Sequence, residues 1–356
     1  MHKGYLALAL LCGSTGLEAA TTPTIVPAKT VTFKDWIVGC DNGLACQAVA
    51  LMPDNLPSDT LSLVLRRGAG NTDEPGVEIS GFAANNTAYR ILVDGRVASS
   101  GVIAAGKDQI LIAGNDAKRL SRALAKGRIL RLTDGSGLAL GRVSLSGSNA
   151  ALRYLDAAQG RIGSRSAIVA TGRRVTTAKR QTQVPVITAS RIKPSAILPD
   201  TAALVALSES SPCAADRFGS TQDTAYSLGT GASGPQALVL LNCGAGAYNF
   251  SSGIYIGQRD SIGRWSFTPA KLDYDATSFS FGPEGDMKVL VNADWDASIQ
   301  TISSYAKGRG IGDCGTSEDY VWDGISFRLV KARAMDQCRG STNWIPVWRA
   351  EVKLTD

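Results

Sequence analysis

Six of the seven cysteines, all except Cys12 near the N-terminus, set the strongest constraint on how this chain can fold. They are Cys40, Cys46, Cys213, Cys243, Cys314 and Cys338. All six follow an N-terminal segment typical of a secretory signal peptide, and an even number of cysteines in an exported chain predicts disulfide bonds. Six cysteines allow fifteen pairings, among which sequence alone does not choose. Because sequential pairing keeps each bond local, we expect Cys40–Cys46, Cys213–Cys243 and Cys314–Cys338.

The N-terminal segment predicts export. Lys3 supplies a positive start, residues 5–12 are an apolar run, and residues 17–20 form a region of small residues suited to cleavage. We therefore interpret residues 1–20 as a signal peptide and expect the mature chain in a bacterial periplasm. No later stretch approaches the roughly 18 apolar residues that span a bilayer, so no transmembrane segment is expected.

Histidine is missing from the mature chain, because the only one in the sequence is His2. This excludes Ser-His-Asp and Cys-His nucleophilic mechanisms, histidine general bases and histidine-bound metals. No cysteine pair has the CxxC spacing of a zinc site either. Carboxylate, lysine and tyrosine chemistry remain, and we predict no catalytic residue, no metal and no cofactor.

Charge and length predict two domains. Residues 21–172 contain 17 basic and 12 acidic residues, whereas residues 196–356 contain 13 basic and 18 acidic ones. Between them, residues 173–195 contain six Lys or Arg and no acid, with little apolar periodicity. We predict a basic linker at 173–195. The polarity is consistent with solvated surfaces or with a basic half that meets an anionic envelope component. No basic helix with interleaved aromatics indicates nucleic-acid binding.

The fold class is expected to be mainly β (α+β), with two antiparallel β-rich domains, each with one or two packing helices. In the first half, short alternating runs occur at 61–67, 77–82, 89–99 and 127–145, and Asp94-Gly95 fits a two-residue hairpin turn. Asn115 and Asn149 can begin two helices that end at Gly127 and Gly160. Their core-facing residues would be Ala117, Leu120, Leu124, Leu152 and Leu155.

In the second half, runs at 237–243, 264–272, 324–330 and 347–354 predict strands. The last run would place Trp348, Ala350, Val352 and Leu354 on one, core-facing side. A helix is predicted from a cap at Asp294 to Gly308. Its apolar stripe would contain Trp295, Ile299, Ile302 and Ala306.

The stretch GRGIGDCGTSEDYVWDG, residues 308–324, concentrates functional residue types. Between that helix and a strand near Gly324, it should form a loop anchored by Cys314. Its carboxylates lack the ligand spacing of an EF-hand loop. A calcium site of another kind and a pair of glycosidase carboxylates stay open. We predict a recognition surface, with Trp322 exposed and Asp319 and Asp323 supplying charge. The candidate binding residues are Tyr248, Asn249, Arg309, Asp313, Glu318, Asp319, Trp322 and Asp323.

Several motifs resemble known families. The segments FKDWIVGCDNGLACQAVAL, RALAKGRILRL and SLSGSNAALRYLDAAQGRIG resemble the invasion-associated locus B family of exported proteins. Over nearly the whole mature chain, the sequence resembles the Gram-negative periplasmic domain-of-unknown-function family 1176. In the second half this likeness rests on NCGAGAYN, GRGIGDCG, VWDGISFRL, CRG and VWRAEV. The resemblance implies an exported two-domain protein and supplies no reaction.

Three functions follow as expectations. The first is a non-catalytic periplasmic binding or envelope-associated protein whose partner is an envelope protein or glycan. The second is a protein inhibitor of a cell-wall hydrolase such as lysozyme, in which an acidic loop would be steered to a cationic enzyme. The third is a carboxylate-dependent carbohydrate hydrolase. We adopt the first, and the oligomeric state stays open.

Overall fold

The computed structural model describes residues 25–53, 59–83, 87–104, 106–175, 184–215, 217, 223–276, 280–281 and 287–356. The expected signal peptide and the centre of the expected linker, residues 176–183, lie outside these ranges. Strands dominate the described residues, so the mainly β fold class is confirmed. No helix in the described ranges combines the length and apolar character that membrane crossing requires.

The first half builds two antiparallel sheets. Its strands are β1 (Val31–Phe33), β2 (Trp36–Cys40), β3 (Cys46–Ala50), β4 (Ser62–Arg67), β5 (Gly76–Ser80), β6 (Ala88–Val93), β7 (Arg96–Val102), β8 (Gln109–Ile112), β9 (Ile129–Asp134) and β10 (Ala139–Ser144). One sheet has the order β1-β2-β3-β4-β5-β8, and the other has the order β10-β9-β6-β7. The expected turn joins β6 to β7: Asp94 and Gly95 both have positive φ, at 49° and 81°, as a type I′ turn requires.

Two helices close the first core, as expected. They are α1 (Gly114–Lys126) and α2 (Ser148–Ala158). All five residues assigned to their core faces are buried. The expected cap at Asn115 is wrong, because that side chain lies inside the first turn and the residue at the cap position is Ala113, which makes no side-chain cap bond. Asn149 instead donates to Ala125 O at 2.9 Å and so ties α2 to α1.

The second half forms two further antiparallel sheets and a parallel strand pair. Its elements are β11 (Val186–Ser190), α3 (Thr201–Ser210), β12 (Thr224–Gly231), β13 (Gly234–Ala245), β14 (Phe250–Arg259), β15 (Trp265–Pro269), β16 (Ser280–Phe281), β17 (Met287–Val291), β18 (Asp294–Asp296), β19 (Thr301–Lys307), β20 (Gly315–Trp322), β21 (Phe327–Met335), β22 (Ile345–Arg349) and β23 (Glu351–Thr355). The sheet orders are β12-β13-β14-β17-β16, with β15 also on β14, and β18-β19-β20-β21-β22.

The helix expected at 294–308 is wrong, since this segment is the β18–β19 hairpin. Trp295 and Ile302 match a helical spacing, but they are also direct cross-strand partners in the hairpin. Ile299 lies exposed in the turn instead of on a buried stripe. The β-branched and serine residues of β19 have weak helix propensity, and the long pairing of β19 with β20 prevails over local periodicity.

The single strand expected at 347–354 is also wrong. At Ala350 the chain leaves β22, which pairs with β21, and enters β23, which pairs in parallel with β11. The expected core face is therefore divided between two sheets, and Val352 is exposed. Strand β11 lies within residues 173–195, so part of the expected linker is a strand bound to the C-terminal end of the chain. The domain boundaries themselves stay a prediction.

The two halves share a hydrophobic cluster. Every residue of β2 and β3 is buried, because the sheet is covered on both faces. One face packs on the first core, whereas Ile37, Val49 and Val64 on the other face join a cluster with Ile345 and Val347 of β22. Strand β22 therefore belongs to the core between the halves.

Polar contacts reinforce this packing between the halves. Arg339 donates to Met52 O at 2.9 Å and to Asp35 at 2.6 Å. Arg349 forms an ion pair with buried Asp41 at 2.8 Å, and its backbone N–H donates to Asn42 Oδ1 at 2.8 Å. These hydrogen bonds and this ion pair form only when the two halves are held in one relative position.

All three expected disulfides are confirmed. Cys40–Cys46 closes the β2–β3 hairpin, Cys213–Cys243 joins the segment after α3 to β13, and Cys314–Cys338 joins the segment before β20 to the segment after β21. Each bond lies within one half of the chain. Two of them lie in the second half, close to the segments in which the sequence concentrates glycine and aromatic residues.

Candidate functional site: the paired loops

The segment 308–324 is only partly a loop. Residues 308–314 connect β19 to β20, but the following eight residues are strand β20 itself. Trp322 is 4% exposed, and its ring packs against Phe327 with centroids 5.0 Å apart. The expectation that Trp322 lies in an exposed loop is therefore wrong. Alternation along β20 turns Glu318, Tyr320 and Trp322 inward, where they are buried.

The structure brings Tyr248 and Asn249 against the remaining loop. Tyr248 Oη donates to Gly308 O at 2.9 Å, and Asn249 Nδ2 donates to Lys307 O at 2.9 Å. The backbone N–H of Lys307 donates back to Asn249 Oδ1 at 3.2 Å. Asn292 also donates to Asn249 Oδ1, at 3.0 Å. We call residues 246–250 and 307–313 the paired loops, because these bonds hold them side by side.

A tight turn forms the tip of the second loop. The backbone N–H of Gly312 donates to Arg309 O at 2.9 Å, and Gly312 has a φ of 69°, which favours glycine. Its carbonyl accepts from Tyr305 Oη and from Trp344 Nε1, both at 3.1 Å. These two rings stack on each other with centroids 4.7 Å apart. Hydrogen bonds from two stacked aromatic side chains therefore fix the position of the turn.

A buried carboxylate fixes the base of the same loop. Asp313 is fully buried and forms a two-pronged ion pair with Arg309, whose Nε donates to Oδ1 at 2.6 Å. The backbone N–H of Gly340 donates to Asp313 at 2.6 Å, beside the Cys314–Cys338 bond. The hydrogen bond from Arg309 holds the pKa of Asp313 below its ordinary value of 3.8. Asp313 is therefore a structural anion.

Gly315 explains how the loop joins β20. Its φ is 133°, and a Cβ atom there would lie 1.9 Å from Ala306 O. Only glycine allows the two strands to approach this closely at the base of the loop. The glycines of GRGIGDCG thus serve backbone geometry, and the side chain that they leave in solvent is Ile311, which is 68% exposed.

A family model described as "Protein of unknown function (DUF1176)" matches residues 30–351. The chain belongs to the DUF1176 family. The family predicted from the sequence motifs is thereby confirmed. The uncharacterised protein YpfG of Escherichia coli strain K12 is 28% identical over 342 residues, which cover 89% of this chain and 91% of the relative.

Among solved structures, the DUF1176 chain is similar to the crystal structure of invasion associated protein B from Bartonella henselae. The sequences are 18% identical, and the match covers 37% of this chain and 99% of the Bartonella chain, with a TM-score of 0.26. A likeness at that TM-score carries no argument about function.

The other candidate acids of this DUF1176 protein lie away from the paired loops. Asp319 pairs with Arg333 at 3.2 Å. Asp323 accepts from the N–H groups of Ile325 and Ser326 and pairs with Arg328 at 3.3 Å. Both acids belong to β20 or to the β20–β21 turn, and their partners neutralise them. The expected acidic recognition surface is therefore not assembled on the loop that contains Ile311.

Glu318 is buried between the sheets of the second half. Burial raises the pKa of Glu318 to about 7, hydrogen bonds with Thr316 and Ser304 oppose this rise, and the neighbouring carboxylates of Asp319 and Asp275 add to it. A raised pKa is one property of a catalytic acid. Glu318, however, is 2% exposed, so a substrate does not reach it in this conformation.

Ile311 was not among the residues predicted from the sequence, although its side chain is exposed. The available sign in the sequence was the pair Gly310 and Gly312, because a large apolar residue between two glycines is typical of a tight loop that exposes it. Asn292 and Tyr305 were not predicted as supporting residues. Their side chains, and that of Trp344, form hydrogen bonds with the paired loops once the fold brings them together. Among the described residues, no group of three His, Cys, Asp or Glu side chains is arranged to hold a metal ion.

Proposed function

We propose that this protein is an exported, non-catalytic binding protein of the bacterial envelope and that the paired loops recognise its partner. The observation that carries the proposal is Ile311, an exposed apolar side chain at the tip of a turn fixed by a disulfide, a buried ion pair and two aromatic hydrogen bonds. A rigid loop loses little conformational entropy on binding, so preorganisation of this kind increases affinity.

The exposed chemistry defines the partner. Ile311 supplies an apolar contact, and the half-exposed Lys307 supplies positive charge beside it, whereas the charge of Arg309 is balanced by Asp313. Exposed Phe250 follows Asn249 in the other loop. A partner that fits this surface has an apolar pocket with an acidic rim. An envelope protein offers that combination more readily than a neutral glycan does.

The two alternative functions receive less support from this geometry. An inhibitor steered to a cationic enzyme needs exposed acid, but the exposed charges of the paired loops are basic. A hydrolase needs two carboxylates facing a cleft. Asp313 and Asp323, which were candidates for that role, are each held by an arginine and by backbone N–H groups.

The test compares partner capture from periplasmic extract by the tagged mature protein and by Ile311→Ser. We expect the variant to lose a specific partner that the wild type retains, since removing a central apolar anchor commonly costs 2 kcal/mol or more, or about 30-fold in affinity. Ile325→Ser is the matched control, because Ile325 is 79% exposed and lies beyond the opposite end of β20.

Equal capture by wild type and Ile311→Ser would refute the role of the paired loops. The same preparations are assayed for inhibition of lysozyme and for turnover of peptidoglycan. Turnover that is abolished by Asp323→Asn or by Glu318→Gln would establish the hydrolase instead. Inhibition that depends on Ile311 would establish the inhibitor.

A further inference from the structure

Strand β7 is an uncovered sheet edge in the first half. It pairs with β6 at the end of the sheet β10-β9-β6-β7, and no strand in the described part of the chain pairs with its outer side. Arg96, Val97, Ser100 and Val102 are exposed along it. The backbone N–H and C=O groups on the outer side of such a strand are available to another chain.

The opposite edge of the same sheet is covered. The backbone N–H of Arg142 in β10 donates to Asp59 O at 2.8 Å, and the N–H of Leu61 donates to Arg142 O at 2.9 Å. The chain thus protects β10 with its own segment and leaves β7 open. A β-bulge at Ala98 twists the start of β7, but the pairs from Ser99 to Val102 are regular.

Two clefts lie at the ends of β7. The first, of about 450 Å³, is lined by Val97 and Ala98 of β7 and by Ala123 and Lys126 of α1. The second, of about 250 Å³, is lined by residues that include Val102, Lys107, Ile110 and Leu111. Val102 follows Val97 by five steps along the strand, roughly 16 Å at ~3.3 Å per residue. An extended segment of about seven residues would reach both clefts.

The surroundings of β7 are basic. Arg90 on β6 and Arg131 on β9 point to solvent, because their neighbours along each strand are buried, and Arg96 is exposed on β7 itself, whereas Arg142 at the far edge of the sheet is paired with Asp59. The one acid of the β6–β7 turn, Asp94, accepts the N–H groups of Arg128 and Ile129 and lies at the start of β7 and not along it. This distribution of charge attracts an acidic partner.

From these observations we propose that β7 accepts an extended, acidic segment of a partner protein as a fifth strand of the sheet. Backbone hydrogen bonds to β7 supply affinity, and side chains at the ends of the segment enter the two clefts. The exposed arginines select acidic residues. This surface is separate from the paired loops and does not depend on their proposed role.

The probe is a fluorescent, end-blocked peptide of seven alternating glutamate and valine residues, titrated with the mature protein and followed by anisotropy. We expect saturable binding that weakens at least tenfold when alternate backbone nitrogens of the peptide are methylated, because methylation removes the N–H donors of one peptide edge. The counterpart with lysine in place of glutamate should bind at least tenfold more weakly. Equal binding of the methylated peptide, or no binding of the glutamate peptide, would overturn the proposal.

Val102→Asp is the test variant, and Leu138→Asp is its matched control. The two side chains are 68% and 65% exposed, and Leu138 lies in the β9–β10 turn near the covered edge. Val102→Asp should weaken the peptide at least tenfold while Leu138→Asp leaves it within twofold. Hydrogen exchange should slow in β7 and remain unchanged in β10 when the peptide binds. An unchanged exchange rate in β7 would refute strand addition.

Vesicles of phosphatidylglycerol, with phosphatidylcholine vesicles as their control, test whether the basic face binds lipid. Binding to phosphatidylglycerol without any binding of the glutamate peptide would overturn the proposal in favour of a membrane surface. The paired-loop variant Ile311→Ser should bind the glutamate peptide like the wild type. If Ile311→Ser failed to bind the glutamate peptide, the paired loops and β7 would form one binding site, which would contradict the proposal that β7 is a separate surface.

Discussion

The paired loops and the edge of β7 present two opposite kinds of surface. In the paired loops, backbone and side-chain groups are bonded within the protein, and what remains for a partner is the side chain of Ile311 with its basic neighbours. In the middle of β7, residues 98–101 have small side chains, and the open groups there belong to the backbone. A locked loop recognises shape and charge, whereas an open edge recognises an extended conformation.

This contrast also concerns stability. The paired loops depend on a disulfide, a buried carboxylate and a stacked aromatic pair, so substitutions in their support should destabilise the protein. The exposed side chains of β7 hold no other described residue in place, so substitutions there should leave the free energy of unfolding nearly unchanged. Four expectations test the contrast, from the largest effect to the smallest.

Removing the loop disulfide should have the largest effect. Cys314–Cys338 spans 24 residues, and in the chain-entropy treatment a loop of that length contributes about 3.5 kcal/mol. The Cys40–Cys46 bond spans only 6 residues and should contribute about 2.2 kcal/mol. Denaturant unfolding of the Cys314→Ala/Cys338→Ala variant and of the Cys40→Ala/Cys46→Ala variant measures both. A larger loss for the short hairpin would reverse the expected order.

Glu318 should make the second half sensitive to pH. Its pKa rises from the ordinary value of 4.5 to about 7 on folding, so the folded state binds more protons than the unfolded state between those values. The contribution of Glu318 to stability is therefore fully present below pH 4.5 and should fall by about 3 kcal/mol as the pH rises through 7. Glu318→Gln keeps hydrogen-bonding capacity and should remove this fall, as measured by denaturant unfolding at several pH values.

The control for that experiment is Asp319→Asn. Asp319 lies next to Glu318 on the other face of β20 and pairs with Arg333. The control should retain most of the loss of stability between pH 4.5 and 7.5, because burial is the main cause of the raised pKa of Glu318 and the carboxylate of Asp319 adds a smaller part. If Glu318→Gln and the wild type showed the same pH profile, the burial of Glu318 would not be the source of the dependence.

Much of the fold could be predicted from local sequence, and the reason is visible in particular elements. The helices α1 and α2 carry their apolar stripes and glycine stops within single segments. The Asp94-Gly95 turn and the three sequential disulfides are also local features. The helices, the turn and the Cys40–Cys46 bond depend on residues close in the chain, where periodicity and turn chemistry decide the structure, and the other two disulfides join cysteines that are next to each other in the order of cysteines.

What could not be predicted depends on partners far away in the chain. The segment 294–308 satisfies a helical spacing and becomes a hairpin because β19 pairs with β20. Trp322 stands among polar residues in sequence, yet strand alternation buries it. Strands β2 and β3 read as near-continuous apolar runs, which was the available sign that a second layer covers them. Long-range pairing therefore determined which candidate residues reached the surface.

Replacing Asp313 should lower the free energy of unfolding less than removing the disulfide does. Its contribution to stability should depend on pH in the direction opposite to that of Glu318. Its pKa is lowered, so its contribution is present above the ordinary value of 3.8 and is lost as the pH falls through the folded pKa. Asp313→Asn should cost about 1–2 kcal/mol at pH 7, since it weakens charge-assisted bonds from Arg309 and Gly340. The cost should shrink in acid unfolding experiments below pH 4. A cost that stayed constant down to pH 2 would mean that charge is unimportant there.

Substitutions at exposed residues of either surface should have the smallest effect on the free energy of unfolding. Ile311→Ser in the paired loops and Val102→Asp on β7 each replace a side chain that is 68% exposed, so each should change the free energy of unfolding by less than about 0.5 kcal/mol. The double variant should show the sum of both changes, because the two positions lie in different sheets of different halves and share no partner. Thermal and denaturant unfolding of the three variants measure this. A loss above about 1 kcal/mol for Ile311→Ser would mean that the residue packs on the loop and supports it. In that case Ile311 would stabilise its own loop and would not be a side chain left free for a partner. The contrast between the paired loops, which present a side chain, and β7, which presents its backbone, would then be wrong for the paired loops.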